Sequence, residues 1–204
     1  HTGHCRPGAG VSDHDVRHDW NFSGRVGVGD AENAAGEGGR CVTGRGPVAG
    51  GAETRYVTPF AVLGIATDGE AVISLRYLPR TTLPVAPHDR VAELACREIE
   101  RYLDDPAYCF DVPYRLVGTV FQRRVWREIA KLFPIKTINY GDIARRLKSA
   151  PRPVGGACGA NPVPLIVPCH RVLAANGLGG FMGGKKSFPL GVKRWLLRHE
   201  GILA

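Results

Sequence analysis

Apolar runs separated by charged or proline-rich breaks organise the chain from Tyr56 onward. Two β-rich runs, at residues 57–66 and 71–77, flank Thr67-Asp68-Gly69-Glu70. Asp-Gly between such runs predicts a hairpin. Residues 78–87 carry Pro79, Pro84 and Pro87 and read as a loop. Asp89 then caps a predicted helix reaching about Leu103, with Val91, Leu94, Ala95, Ile99 and Tyr102 on one face and Glu93 four residues before Arg97. A short extended run follows near Tyr114-Arg115-Leu116-Val117.

Thr119-Val120-Phe121-Gln122 has the form of a capping box and opens a helix predicted to reach Phe133. Phe121, Val125, Ile129 and Leu132 face its core side, and Pro134 stops it. A short helix at residues 140–147, a tight turn at Lys148-Ser149-Ala150-Pro151 and a helix opened by Arg152 form the pattern of a helix-turn-helix. The second of these helices holds Gly155, Gly156, Ala157, Gly159 and Ala160. Such residues cannot read base edges by hydrogen bonding, and each glycine costs about 1 kcal/mol in a helix interior. Two uses fit a smooth helix equally: close approach to DNA in a narrow groove, or tight packing against another helix.

Composition changes this picture at the ends. Residues 1–53 hold 13 of the 27 glycines, with no period, and are expected to be a disordered or loosely attached tail. His1, His4, Cys5, His14 and His18 complete no standard ligand set, so no metal is expected. Neither a signal peptide nor a stretch of the roughly 20 apolar residues needed to span a bilayer is found. The six cysteines lack paired spacing, which suggests a reducing, cytoplasmic setting. Charge is uneven. Residues 112–204 carry 16 Lys and Arg against Glu128, Asp142 and Glu200, a net +13, while the rest of the chain carries −5 of the overall +8. A basic half joined to a mildly acidic one suggests a single nucleic-acid face. The expected organisation is α+β: a tail at 1–53, an N-terminal α/β domain at 54–117 and a C-terminal domain at 118–204.

The densest chemistry lies at residues 166–171, Ile-Val-Pro-Cys-His-Arg. Cys169 follows an apolar run and precedes an imidazole and a guanidinium. Burial alone makes a thiol inert, whereas a nearby base or cation favours thiolate. Cys169 is therefore a candidate nucleophile. Adjacent residues do not face each other on a regular element, so His170 is expected to act through a bridging water.

Residues 152–164 read Arg-Pro-Val-Gly-Gly-Ala-Cys-Gly-Ala-Asn-Pro-Val-Pro, residues 178–184 Leu-Gly-Gly-Phe-Met-Gly-Gly, and residues 191–201 Gly-Val-Lys-Arg-Trp-Leu-Leu-Arg-His-Glu-Gly. Together with Pro-Cys-His-Arg-Val, these motifs resemble the O6-alkylguanine-DNA alkyltransferase family from about Gly118 to Gly201, with a weaker echo back to Tyr56. The resemblance implies a ribonuclease H-like N-terminal domain and a helical C-terminal domain with a helix-turn-helix. It implies one irreversible alkyl transfer to Cys169 from O6-alkylguanine, and from O4-alkylthymine, in double-stranded DNA, by a monomer without cofactor. Extruding the damaged nucleotide from the stack costs a few kcal/mol.

Under that resemblance Glu200 orients His170, which deprotonates Cys169 through a water. Tyr140 assists the leaving purine and the rotation of the base, and Asn161 acts as a hinge. Arg152 is the intercalating finger, with a phosphate contact as its alternative. Gly155 and Ala157 lie on the DNA face with Tyr140. Pro164, Val167 and Phe181 line the pocket, the backbone of Val167 and Cys169 reading the guanine edge, and Arg171 is structural. Pro153, Val120, Ile135-Lys136 and an apparent insertion at Lys185-Lys186-Ser187-Phe188-Pro189 depart from the family pattern. Two alternatives remain: a non-catalytic lesion-binding module, against which Cys169 itself argues, and a thiol hydrolase, which gives no reason for the basic helix-turn-helix.

Overall fold

The computed structural model describes residues 53–183 and 187–204. The expected tail and the histidines within it lie outside these residues, as do Lys185 and Lys186 of the insertion. Three antiparallel strands, β1 (Thr54–Val57), β2 (Val62–Thr67) and β3 (Val72–Leu78), form a sheet in the order β1-β2-β3. The run expected as one strand over residues 57–66 is therefore two strands. Thr58 breaks it: its Oγ1 donates to the Ala61 carbonyl at 2.7 Å, and the Thr58 amide reaches the same carbonyl at 2.9 Å, reversing the chain around Pro59. The Asp-Gly hairpin forms as expected, with Gly69 at φ 88 and a register shift at Ala66/Thr67.

Helix α1 (Arg90–Asp104) packs on this sheet. Asp89 caps it by accepting from the Ala92 amide at 2.7 Å. Val91, Ala92, Ala95, Cys96, Glu98, Ile99 and Tyr102 are buried. The extended run after it makes one parallel bridge, Tyr114 to Val72.

Helix α2 (Val120–Ala130) begins with the predicted capping box: Thr119 N donates to Gln122 Oε1 at 2.8 Å, and Gln122 N to Thr119 Oγ1 at 3.2 Å. It ends three residues before the expected Phe133. Beyond it Ile135 sits at φ 62, a left-handed conformation that a β-branched residue adopts only with strain. The strand β4 (Ile138–Asn139) leads directly into α3 (Tyr140–Arg146), and α4 (Pro151–Gly159) follows after a short turn. Pro151, not Arg152, opens α4, where its missing amide is harmless. Helix α4 packs against both α2 and α3. A single 3-10 turn (Cys169–Arg171), β5 (Val172–Leu173) and α5 (Ser187–His199) complete the chain. Strands β4 and β5 pair in parallel, bringing the start of α3 beside the segment that carries Cys169.

Candidate active site

The apolar residues before Cys169 form a buried tight turn, with the Val167 amide bonded to the Val163 carbonyl at 3.0 Å and Leu165 at φ 79. Pro168, at φ −78 and ψ 64, centres an inverse γ-turn whose bond runs from the Cys169 amide to the Val167 carbonyl at 2.8 Å. Asn161 clamps this loop. Its Nδ2 donates to the Val167 carbonyl at 2.8 Å and its Oδ1 accepts from the Val163 amide at 3.1 Å. The expectation that the Val167 backbone reads a base edge is thereby corrected, because both lone pairs of its carbonyl and its amide are already committed. Val167 and Pro164 are both buried in the loop that leads to Cys169.

The 3-10 turn points Cys169 and His170 in different directions, as expected for neighbours. Cys169 is 4% exposed and free. Burial pushes its thiol up, against a hydrogen bond from Asn161 and the positive charge of Lys193. The cation acting on the sulfur is thus Lys193, from α5, and not the adjacent Arg171.

His170 is fully buried, and its Nε2 lies 2.7 Å from Glu200 Oε1. Burial lowers its pKa, so the imidazole is neutral near pH 7. Its Nδ1 has no hydrogen-bond partner among the described residues. Arg171 grips the same carboxylate, Nη2 to Oε1 at 2.8 Å and Nε to Oε2 at 3.1 Å. Glu200, just past α5, is 2% exposed; burial raises its pKa, but the hydrogen bonds and charges of His170 and Arg171 outweigh that and hold it at about 2. A third donor arrives from α1, Tyr102 Oη to Glu200 Oε1 at 2.9 Å.

The sulfur opens onto a cavity of about 640 Å³ lined by α4 residues including Arg152, Gly155 and Cys158, by Tyr140, and by the 180–183 loop with Phe181 and Met182. Tyr140, the first residue of α3, donates to the Gly180 carbonyl at 3.1 Å, and burial pushes its phenol up. Gly179, at φ 70, has to be glycine here, since a Cβ would stand 2.9 Å from the Tyr140 ring. Lys193 Nζ is held by the carbonyls of Val172, Leu178 and Gly180 at 2.7, 2.6 and 3.2 Å, and burial lowers it to about 8.

The two faces of α4 differ. Ala157 is buried and its carbonyl accepts from Trp126 Nε1 at 2.7 Å, which corrects its placement on the DNA face. Gly159 abuts the backbone of Gly183, where a Cβ would stand 2.9 Å away. Arg152 and Gly156 are exposed and Gly155 is half-buried; a Cβ on Gly156 meets nothing within 4 Å. Packing therefore explains Ala157 and Gly159 but not Gly156. Arg152 has no hydrogen-bond or ion-pair partner among the described residues.

Of the residues singled out from sequence, Cys169, Tyr140, Arg152, Gly155 and Phe181 border one cavity, while His170, Glu200 and Asn161 stand behind the sulfur. Sequence inspection did not single out Tyr102, Lys193, Cys158 or Met182. A lysine on the apolar side of a helix, between Val192 and Leu196–Leu197, was the one available signal among these.

The family model for the DNA-binding domain of 6-O-methylguanine DNA methyltransferase matches residues 120–202. The methylated-DNA–protein-cysteine methyltransferase of Metallosphaera sedula is 32% identical over 149 residues, covering 72% of this chain and 92% of that protein. Its counterpart in Haemophilus influenzae is 35% identical over 164 residues, covering 73% and 86%. Among solved structures, Mycobacterium tuberculosis O6-methylguanine methyltransferase aligns with a TM-score of 0.63 at 33% identity, covering 74% of this chain and 92% of that one. Mycobacterium tuberculosis OGT in complex with DNA aligns at 0.61 and 34%, covering 72% and 92%. Fold, buried thiol and matched DNA-binding domain define one class. The chain belongs to the methylated-DNA–protein-cysteine methyltransferase family.

Proposed function

We propose that this protein repairs double-stranded DNA by moving the alkyl group of O6-alkylguanine, and of O4-alkylthymine, onto its own Cys169. The observation that carries this is the opening of a buried, free thiol onto a cavity bordered by Arg152 and the bare glycine face of α4. The extruded base enters the cavity, and Arg152, without an internal partner among the described residues, fills the gap left in the stack. His170 accepts the thiol proton on Nδ1 through one bridging water, while Glu200 steadies Nε2. The thiolate then attacks the alkyl carbon: a sulfur–carbon bond forms, the carbon–oxygen bond breaks, and the electron pair leaves on the base, which Tyr140 assists with a proton. A thioether is a poor leaving group, so each molecule acts once.

Helices α3 and α4 serve as a helix-turn-helix, with Arg152, Gly155 and Gly156 toward the DNA. The N-terminal sheet and α1 serve as a unit of ribonuclease H-like type, divided from the DNA-binding unit near Gly118. The protein works as a monomer in the cytoplasm without a metal or cofactor. Among the described residues no helix is long and apolar enough to cross a membrane.

Incubation with a duplex carrying O6-methylguanine, followed by intact-mass measurement and peptide mapping, tests the assignment. One methyl gained on the Cys169 peptide is expected, with Cys169→Ala binding DNA but gaining nothing. Binding without gain by the wild-type protein would leave a lesion-binding module, and thioester turnover without either would leave a hydrolase. Gly156→Ala separates the two uses of the small-residue helix. It is expected to raise stability by up to about 1 kcal/mol while weakening duplex binding; unchanged binding would remove α4's exposed face from the interface.

A further inference from the structure

Glu200 receives one donor from the N-terminal half. Tyr102 on α1 is fully buried, and its hydroxyl donates to Glu200 Oε1 at 2.9 Å. The same residue also grips the preceding position: its backbone carbonyl accepts from His199 Nε2 at 2.8 Å, and its ring meets the His199 imidazole edge-on at 5.1 Å. Trp195 stacks on that imidazole at 4.9 Å. Tyr102 therefore fixes both residues that close α5.

Crowding at the oxygen gives this contact a chemical consequence. Oε1 is approached by His170 Nε2 at 2.7 Å, Arg171 Nη2 at 2.8 Å, Tyr102 Oη at 2.9 Å and Arg171 Nε at 3.2 Å, whereas among the described residues Oε2 receives only the same Nε, at 3.1 Å. Donors from three residues share the negative charge of this one oxygen, so the phenol draws on charge that His170 would otherwise use. A carboxylate relieved of that donor would hold a protonated imidazole more firmly. The other groups facing this pair are Tyr77 from β3, Cys169 and Arg171 from the 3-10 turn, and Lys193 and His199 from α5. None of them is displaced by losing one hydroxyl.

We propose that Tyr102 is a positioning residue for the base, holding Glu200 in place and limiting its pull on His170, so that the N-terminal half sets the pH at which the C-terminal half reacts. This rests on His170 acting as the base for Cys169. Because His170 must be neutral to accept the thiol proton, the single-turnover rate falls on the acid side as the imidazole protonates. Strengthening its attraction to Glu200 moves that fall to higher pH.

The test is the rate of methyl uptake from an O6-methylguanine duplex, in single turnover, across the acid range. Tyr102→Phe is expected to move the acid midpoint up by about one unit, with the plateau above it within about threefold of wild type and duplex binding unchanged. A fluorinated tyrosine placed at position 102, nearly the same size but a stronger donor, is expected to move the midpoint down, and it decides the matter if Tyr102→Phe does not fold. A whole profile scaled down without a moved midpoint in Tyr102→Phe, or an unmoved midpoint in the fluorinated protein, would overturn the proposal. Failure of the wild-type protein to take up methyl on Cys169 would instead overturn the assignment of the site, so the two failures are distinguishable.

Discussion

Two buried glutamates, one in each half, show opposite responses to the same loss of water. Glu98 on α1 is 3% exposed, and its Oε2 accepts from the amides of Asp111 and Val112, both at 2.9 Å. Burial dominates and its pKa rises. Glu200 is as deeply placed, but with His170 and Arg171 against it the carboxylate is held at about 2. Two neutral amides suffice to tie a loop to a helix without overcoming the cost of a buried charge. Cationic and imidazole partners do overcome it, and they occur where the chemistry lies.

The largest expected difference is in substitution by an amide of equal size. Glu200→Gln leaves the buried Arg171 without its counter-charge and should lose about 3–5 kcal/mol in chemical denaturation. Adding Arg171→Met should recover part of that loss, and a double variant no more stable than the single would show that the ion pair is not its cause.

Intermediate in size is the pH dependence. Glu200 has its folded pKa below the ordinary 4.5, so its contribution is full above that value and is lost as pH falls through about 2. Glu98, raised in the fold, acts with the opposite sign: its ionisation opposes folding, and acidification through its folded pKa relieves that cost. Unfolding free energies measured from pH 7 downward should show a smaller acid-side decline in Glu200→Gln than in Glu98→Gln, the remainder in both coming from Asp68, Asp89 and Glu128, whose folded pKa values are also lowered. The smallest effect is Glu98→Gln at pH 7. The amide oxygen can still accept from both backbone donors, so stability should change by less than about 1 kcal/mol; a loss as large as that of Glu200→Gln would erase the contrast.

Local signals in the sequence were dependable where one segment settles its own conformation. The Asp89 cap, the capping box at Thr119 and Gln122, the Asp-Gly hairpin and the α3-turn-α4 pattern all form. The split between β1 and β2 was signalled by Thr58-Pro59 inside the run, but the Thr58–Ala61 turn is flanked so closely by Val57 and Phe60-Ala61-Val62 that the segment reads as one strand. The β4–β5 pairing joins two-residue strands more than thirty positions apart, which no local pattern can carry. At the site, motif residues around Cys169 were legible, but facing was not. Ala157 and Gly156 are neighbours in a uniform small-residue helix, and only packing against Trp126 assigns one inward and leaves the other bare. Tyr102 was legible as a core residue of α1, but its hydroxyl meets a partner 98 positions away.

The meeting of Gly159 with Gly183 limits how the chamber can diversify. Main chain touches main chain there, with no room for even a methyl group, so the gap between α4 and the 180–183 loop is fixed by glycine at that point and not by a choice of side chain. Room for bulkier adducts has to come from walls that do carry side chains, among them Tyr140, Cys158, Phe181 and Met182.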